Sequence, residues 1–418
     1  MTGPWPTAVA RAEAPARPGQ RSGLSRRALL AFGALASVAV PAQAAWVARS
    51  IPGAEPLQQI HAGGPTGLLA VGASGALWAL SASGGAATRL GDGLDSLTPL
   101  ASGHGRIAAR HADGGLWVSE NGRVQRGQRN TLTPQAGLLV LPLAVIGVAA
   151  GSHQVLRLEP DNGQVWAVVA RSVGAVLPDA RPLQADLDAR GDGGHLVLLA
   201  GPDNQRYPHG VLGDSIEATR MLWLERHSLE VLRELVLPAP HVLEDIAPRP
   251  VALGRGTALL TVRSGPQGGQ LGLVAASATQ PKQLQWASLG DALGTPKRWM
   301  APTTDGTRIL AVHTPHIGGV LHEYRVEGQR LVSRTVANNV STHRIGSREL
   351  DLAVWIGRSL VVPQQNGQAL RVLDAAAAWA EVASIALPAR VAMTTALPGG
   401  QGVAALLDDG RVFGVVVG

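Results

Sequence analysis

The chain has 418 residues with 52 Gly, 28 Pro and only 16% charged residues, a balance that favours many short strands and turns over long helices. Its formal charge of +6 is concentrated at the start: five Arg and one Glu in the first 44 residues leave 31 basic and 29 acidic side chains after them. Without a Lys/Arg run in that remainder, a phosphate-tracking nucleic-acid binder is excluded, and the absence of Cys excludes disulfides, thiolate-held iron–sulfur clusters and c-type haem attachment.

The first element is an address. Ser25-Arg26-Arg27-Ala28-Leu29-Leu30 opens a basic segment, the apolar run Ala28 to Val40 follows, and Pro41-Ala42-Gln43-Ala44 supplies an Ala-x-Ala cleavage site before Ala45. Thirteen apolar residues fall short of the ~20 that span a bilayer. The paired arginines and the polar lead-in define residues 1–44 as a twin-arginine-type signal peptide, with a Sec signal as the alternative. The longest later apolar stretch, Gly137 to Gly151, is interrupted by Pro142. The expectation is a periplasmic chain, residues 45–418, with no membrane span.

From residue 45 onward a glycine-led apolar strand, a tight polar turn and a second strand recur. GLLAVGASGALWAL (Gly67 to Leu80), GRIAARHADGGLWVS (Gly105 to Ser119) and HQVLRLEPDNGQVWAVV (His153 to Val169) are hairpin signatures around Gly, Asp-Gly or Asn-Gly. Looser copies start at Gly194, Gly256, Gly306, Leu350 and Gly402, so eight copies lie 38 to 62 residues apart. That period fits the four-stranded blades of an all-β propeller, with eight blades favoured and seven as the alternative. The last copy stops after its third strand, and Trp46 to Ile51, the first strand of the mature chain, is expected to close the ring. Trp78, Trp117, Trp166 and Trp223 are expected at equivalent places, packing between blades.

The widest gap holds RYPHGVLGDSIEA (Arg206 to Ala218), which reads as an insertion around residues 201–220 within one blade. Segments leading into innermost strands converge on the channel mouth of a propeller. The following three such segments carry Glu244-Asp245, Arg298-Trp299 and His343-Arg344. The insertion is expected to fold over that mouth, so the candidate ligand-binding residues are Arg206, Tyr207, His209, Asp214, Glu217, Glu244, Asp245, Arg298, Trp299, His343 and Arg344. An equally admissible reading is an internal ion network that locks blades together, because buried charges persist only when paired.

RYPHGVLGDSIEA, VLEDIAPRPV (Val242 to Val251), RWMAP (Arg298 to Pro302), HIGGVLHEYRVEG (His316 to Gly328) and THRIG (Thr342 to Gly346) together resemble bacterial secreted FG-GAP/VCBS-repeat β-propeller proteins. The resemblance covers residues 180 to 375 and implies the fold, with no defined enzymatic activity. Members carry Asp-x-Asp-x-Asp-Gly loops for calcium, a hard cation that needs several oxygen ligands around one turn. Here most are eroded, LGRGT (Leu253 to Thr257) standing where one would be, and Asp186, Asp188 and Asp192 are the best remnant. No cofactor is expected apart from calcium as a weak candidate at this remnant, and His313 with His316 is a second, weaker metal pair.

No GxSxG elbow, HExxH or GxxxxGK[ST] occurs. The functional expectation is a non-enzymatic periplasmic propeller that binds or scaffolds a protein, glycan or small anion at its channel mouth. The alternative is a hydrolase or lyase using the polar funnel around His209, Asp214, Glu217 and His343.

Overall fold

The computed structural model describes residues 45–63, 67–162, 165–191, 193–254 and 256–417, so residues 1–44, expected as a signal peptide, and Asp192 lie outside the described residues. Strands follow one another throughout, and no helix among the described residues is long and apolar enough to cross a membrane.

Eight four-stranded blades occupy residues 57–91, 101–127, 139–171, 183–236, 249–289, 300–338, 354–386 and 391–417. The eighth has only three strands of its own. Its outer strand is Trp46–Ile51, which pairs antiparallel with Val412–Val417 from Trp46 opposite Val417 to Ile51 opposite Val412. The ring is thus closed by a strand from the opposite end of the chain. A two-residue strand, Val242–Leu243, bridges the fourth and fifth blades by pairing with both Ala218 and the strand Gly256–Ser264.

The second strand of each blade is flanked by sheet on both sides and packs on both faces, so it loses the polar-apolar alternation of a half-exposed strand. Leu68–Gly72 and Gly402–Leu407 are buried at every position, whereas the outer strand Arg330–Asn338 is largely exposed. Trp117 packs with Leu69 and Leu77 of the first blade, Trp166 with Leu116 and Val118 of the second, and Trp223 with Ile146 and Val155 of the third. Each therefore seals a blade against its predecessor. Gly91 makes room for one of them: a Cβ there would lie 2.6 Å from Cζ2 of Trp117.

Two sequence expectations shift by one strand. The hairpin at 153–169 is the outer pair of the third blade, Val155–Asp161 and Val165–Arg171, so Trp166 stands on an outermost strand while Trp78, Trp117 and Trp223 stand on third strands. The apolar run containing Pro142 forms the inner pair instead, Leu139–Val140 and Val145–Val148, with the proline in the turn between them. The copy at Leu350 likewise contributes an innermost strand, Val354–Ile356. In six blades the pairing of the third and fourth strands carries a register shift, a repeated bulge that turns the outer strand away from the flat sheet.

Candidate functional site

The RYPHGVLGDSIEA segment lies between the second and third strands of the fourth blade, His195–Asp203 and Glu217–Leu224, and contains one 3-10 turn, Gly210–Leu212. Arg206 faces back into its own blade, pairing with Asp203 at 3.2 Å and donating to the Leu237 carbonyl at 2.9 Å. Its guanidinium holds the insertion to the sheet. Tyr207 is buried, and its hydroxyl accepts the Lys297 amide hydrogen from the lead-in to the sixth blade.

His209 meets Glu244 through Nδ1, and Ser264 donates to the other Glu244 oxygen. Glu244 is fully buried, and that burial raises its carboxyl above the usual carboxylate range against the pull of His209. Its backbone carbonyl accepts the Trp299 indole N–H at 3.0 Å. Trp299 is therefore a buried prop between two blades, with its polar end already satisfied. The neighbouring Asp245 is equally occupied: it accepts from the Ile246 amide at 2.9 Å, from Thr261 Oγ1 at 3.0 Å and from Arg249 at 3.1 Å.

Asp214 accepts the Ile216 amide hydrogen at 2.8 Å and pairs with Arg348 Nη2 at 2.7 Å. Arg348 donates from Nε to Asp179 at 2.9 Å, so one guanidinium clamps an acid of the segment leading into the fourth blade and an acid of its insertion. Burial and the adjacent Asp214 still push Asp179 upward. Glu217 differs from all of these. It is 2% exposed and has no hydrogen-bond or ion-pair partner among the described residues, and burial followed by the Glu244 charge pushes it up to about 10. It is held as a neutral acid.

The loop 341–353 crosses from the sixth to the seventh blade. His343 is buried in it and donates from Nε2 to the Ser347 carbonyl at 2.9 Å, while the Gly346 amide reaches the Val211 carbonyl of the insertion at 2.8 Å. His316 Nε2 lies 2.9 Å from His343 Nδ1, and Trp299 stacks on His316 at 6.3 Å and meets His343 edge-on at 4.8 Å. Burial lowers both imidazoles to about 4, so both are neutral at pH 7.

Three cavities surround this loop. One of about 330 Å³ is lined by His209, Lys297, Arg298, Trp299, His316 and Ile345. A second, about 370 Å³, is lined by His316, His343, Arg344, Gln364 and Arg390 among others. A third of about 370 Å³ lies against residues 344–349 together with Gln59 of the first blade, Ser96 of the link to the second and Met393 of the eighth. Arg298 and Arg344 are exposed, and neither has an ion-pair partner among the described residues.

The sequence candidates thus divide. Tyr207, Glu217, Glu244, Asp245, Trp299 and His343 are buried, His209 and Asp214 are half-buried and tied to Glu244 and Arg348, Arg298 and Arg344 face open space, and Arg206 belongs to its own blade. Sequence reading missed Arg348, Asp179 and Arg390. Arg348 lay only four residues beyond Arg344 and could have been included, whereas nothing local marked Asp179 or Arg390.

At the calcium remnant, Asp186 accepts from the amides of Arg190 and Gly191 at 3.1 and 2.8 Å, and Asp188 pairs with Arg190 at 2.8 Å. The turn closes on its own residues, and among the described residues no group of three or more His, Asp or Glu could hold a metal. His313 and His316 separate: His313 Nε2 meets the Tyr324 hydroxyl at 2.6 Å and its ring stacks on His322 at 3.7 Å. Three residues along a strand end and turn do not share a face as they would on a helix.

This is a β-propeller of eight blades in which the loop 341–353 is bordered by cavities lined by Arg298 and Arg344, neither with an ion-pair partner among the described residues. Among solved structures it is similar to BamB from Moraxella catarrhalis, with a TM-score of 0.55 and 14% identity over 88% of this chain and 98% of that one. It is also similar to the Cps50 (Swd1) β-propeller domain of Myceliophteria thermophila, with a TM-score of 0.50 and 10% identity over 90% of this chain and 100% of that one. At such identities the likeness is one of fold. No protein-family model matches the sequence, and no curated protein does.

Proposed function

We propose that the protein is a non-enzymatic binding or scaffolding propeller of the periplasm, exported by its twin-arginine segment, that holds an anionic group of a protein, glycan or small molecule at its channel mouth. One observation carries this reading. The acids around the mouth are paired, hydrogen-bonded or held neutral, while Arg298 and Arg344 line adjoining cavities with no counter-ion among the described residues. An unpaired guanidinium on a concave surface is a site for charge-assisted, bidentate hydrogen bonds. The motif resemblance to FG-GAP/VCBS-repeat propellers supports the same class.

A hydrolase or lyase is the second reading, favoured by one geometry: buried Glu244 holds Nδ1 of His209, leaving Nε2 without a hydrogen-bond partner among the described residues on a residue that lines a cavity with Lys297 and Arg298. One experiment separates the two. Calorimetric titration of the purified chain with citrate, an acidic peptide and an acidic oligosaccharide is expected to show binding that Arg298→Ala and Arg344→Ala each weaken by about tenfold or more. His209→Ala should leave that binding in place and alter only stability. Binding indifferent to both arginines would overturn the proposal, and a turnover that vanishes in His209→Ala while the protein stays folded would replace it with the enzymatic reading.

A further inference from the structure

We propose that the cavity between the sixth, seventh and eighth blades binds an acidic sugar, with its carboxylate on Arg344 and Arg390 and its hydroxyls on a wall of amides and imidazole. The inference rests on the mouth being an anion-binding site and narrows it to one ligand class. The cavity measures about 370 Å³, within the ~300–1,000 Å³ of small-ligand sites.

Its charge is one-sided. Arg344 and Arg390 are both exposed and have no ion-pair partner among the described residues, and no Asp or Glu among them lines the cavity. A carboxylate entering it meets two cations and no competing anion.

The second wall is the turn 364–367 between two strands of the seventh blade. Its backbone is pinned by Gly367 donating to the Gln364 carbonyl at 2.7 Å, Val391 donating to Gly367 at 2.9 Å and Gln365 donating to Asn339 at 3.2 Å. Its side chains remain available: Gln364 and Gln365 make no side-chain hydrogen bond among the described residues, and Asn366 uses only its carbonyl, accepting from the Gln368 amide at 2.9 Å. Amides that both donate and accept match hydroxyl groups, whereas a bare anion would use only their N–H groups and leave the carbonyl oxygens without a donor.

The imidazole protons follow from their partners. Ser347 offers a carbonyl, which only accepts, so His343 Nε2 carries the hydrogen of that 2.9 Å bond. Its Nδ1 is then bare and accepts from His316 Nε2 at 2.9 Å. Neutral His316 consequently keeps an unprotonated Nδ1, an acceptor that suits a hydroxyl hydrogen and repels a carboxylate. Pro315, Ile345, Leu352 and Pro363 complete the lining with apolar surface for the C–H face of a sugar ring.

The test is calorimetric titration of the purified chain with free galacturonate, a short oligogalacturonate, glucose and citrate. A uronate should bind at one site and glucose should not. Arg344→Ala and Arg390→Ala should each weaken the uronate about tenfold or more, and His316→Phe, which keeps a stacking ring, should erase the preference for uronate over citrate. Because both arginines are exposed, their variants should melt with wild type. Oligomer binding without monomer binding identifies a polysaccharide as the source, and monomer binding a free sugar acid; both support the inference. Arg344-dependent binding of citrate with no uronate binding would overturn the sugar and leave the anion site standing. Binding of none of these anions would overturn both.

Discussion

Glu217 shows how strongly position governs a single side chain here. It begins a strand whose next residue, Ala218, pairs with Leu243, and this brings its carboxyl near Glu244, Asp214 and Asp179 with no donor to satisfy it among the described residues. The folded chain therefore keeps its proton up to about pH 10, whereas the unfolded chain releases it near pH 4.5. Across that window the folded state binds more protons, so stability falls as pH rises. Glu217→Gln, a neutral isostere, should remove this slope and be more stable than wild type by at least ~1 kcal/mol at pH 8 in urea denaturation. Parallel curves for the two proteins would show that Glu217 is solvated or paired. The same reasoning assigns His209 and Glu244 a structural bond first, because losing either would leave a buried partner unsatisfied.

At the scale of elements, the decisive feature is the strand Trp46–Ile51, which completes a blade whose other strands lie at the far end of the chain. Without it Val412–Val417 becomes an open edge, and such edges recruit other chains. Ile51 is 2% exposed, and its burial alone is worth ~1.5–3 kcal/mol. Removing residues 45–51 should therefore lower the melting temperature and produce oligomers detectable by light scattering; an unchanged melt would mean that the closure contributes nothing. The loop 341–353 is the second decisive element. Its anchors are Arg348 on Asp179 and Asp214, and the Gly346 amide on Val211, so it belongs as much to the insertion as to its own blades. Its route decides which side chains line all three cavities.

For the whole molecule, closure of eight blades brings together residues that are far apart in sequence, such as Asp179 and Arg348. Intact-mass measurement on protein purified from the periplasm of its host should give residues 45–418. A mass retaining residues 1–44, or absence from the periplasm, would refute the export proposal. A native mass exceeding that of residues 45–418 by a sugar acid would join the export and ligand proposals.

The repeat of glycine-led hairpins and the unfinished last copy were readable because each blade must bury the same apolar strand, so a local pattern is imposed eight times. Strand order within a blade was less readable. Trp166 looks like Trp117 in sequence, yet the short inner strands around Pro142 move it one strand outward. RYPHGVLGDSIEA could be singled out by composition and spacing, since polar groups stand out in an apolar chain. Whether each group would face a ligand or another side chain was not encoded locally. Arg298 and Arg344 stay open while Asp245, His343 and Trp299 are consumed by neighbours, and that division depends on partners from other blades. Sequence alone determined the periodic apolar strands and the strand that closes them, because burial acts on each segment separately. Only the tertiary structure decided which charges are paired and which remain free, because pairing is a property of two distant residues and the space between them.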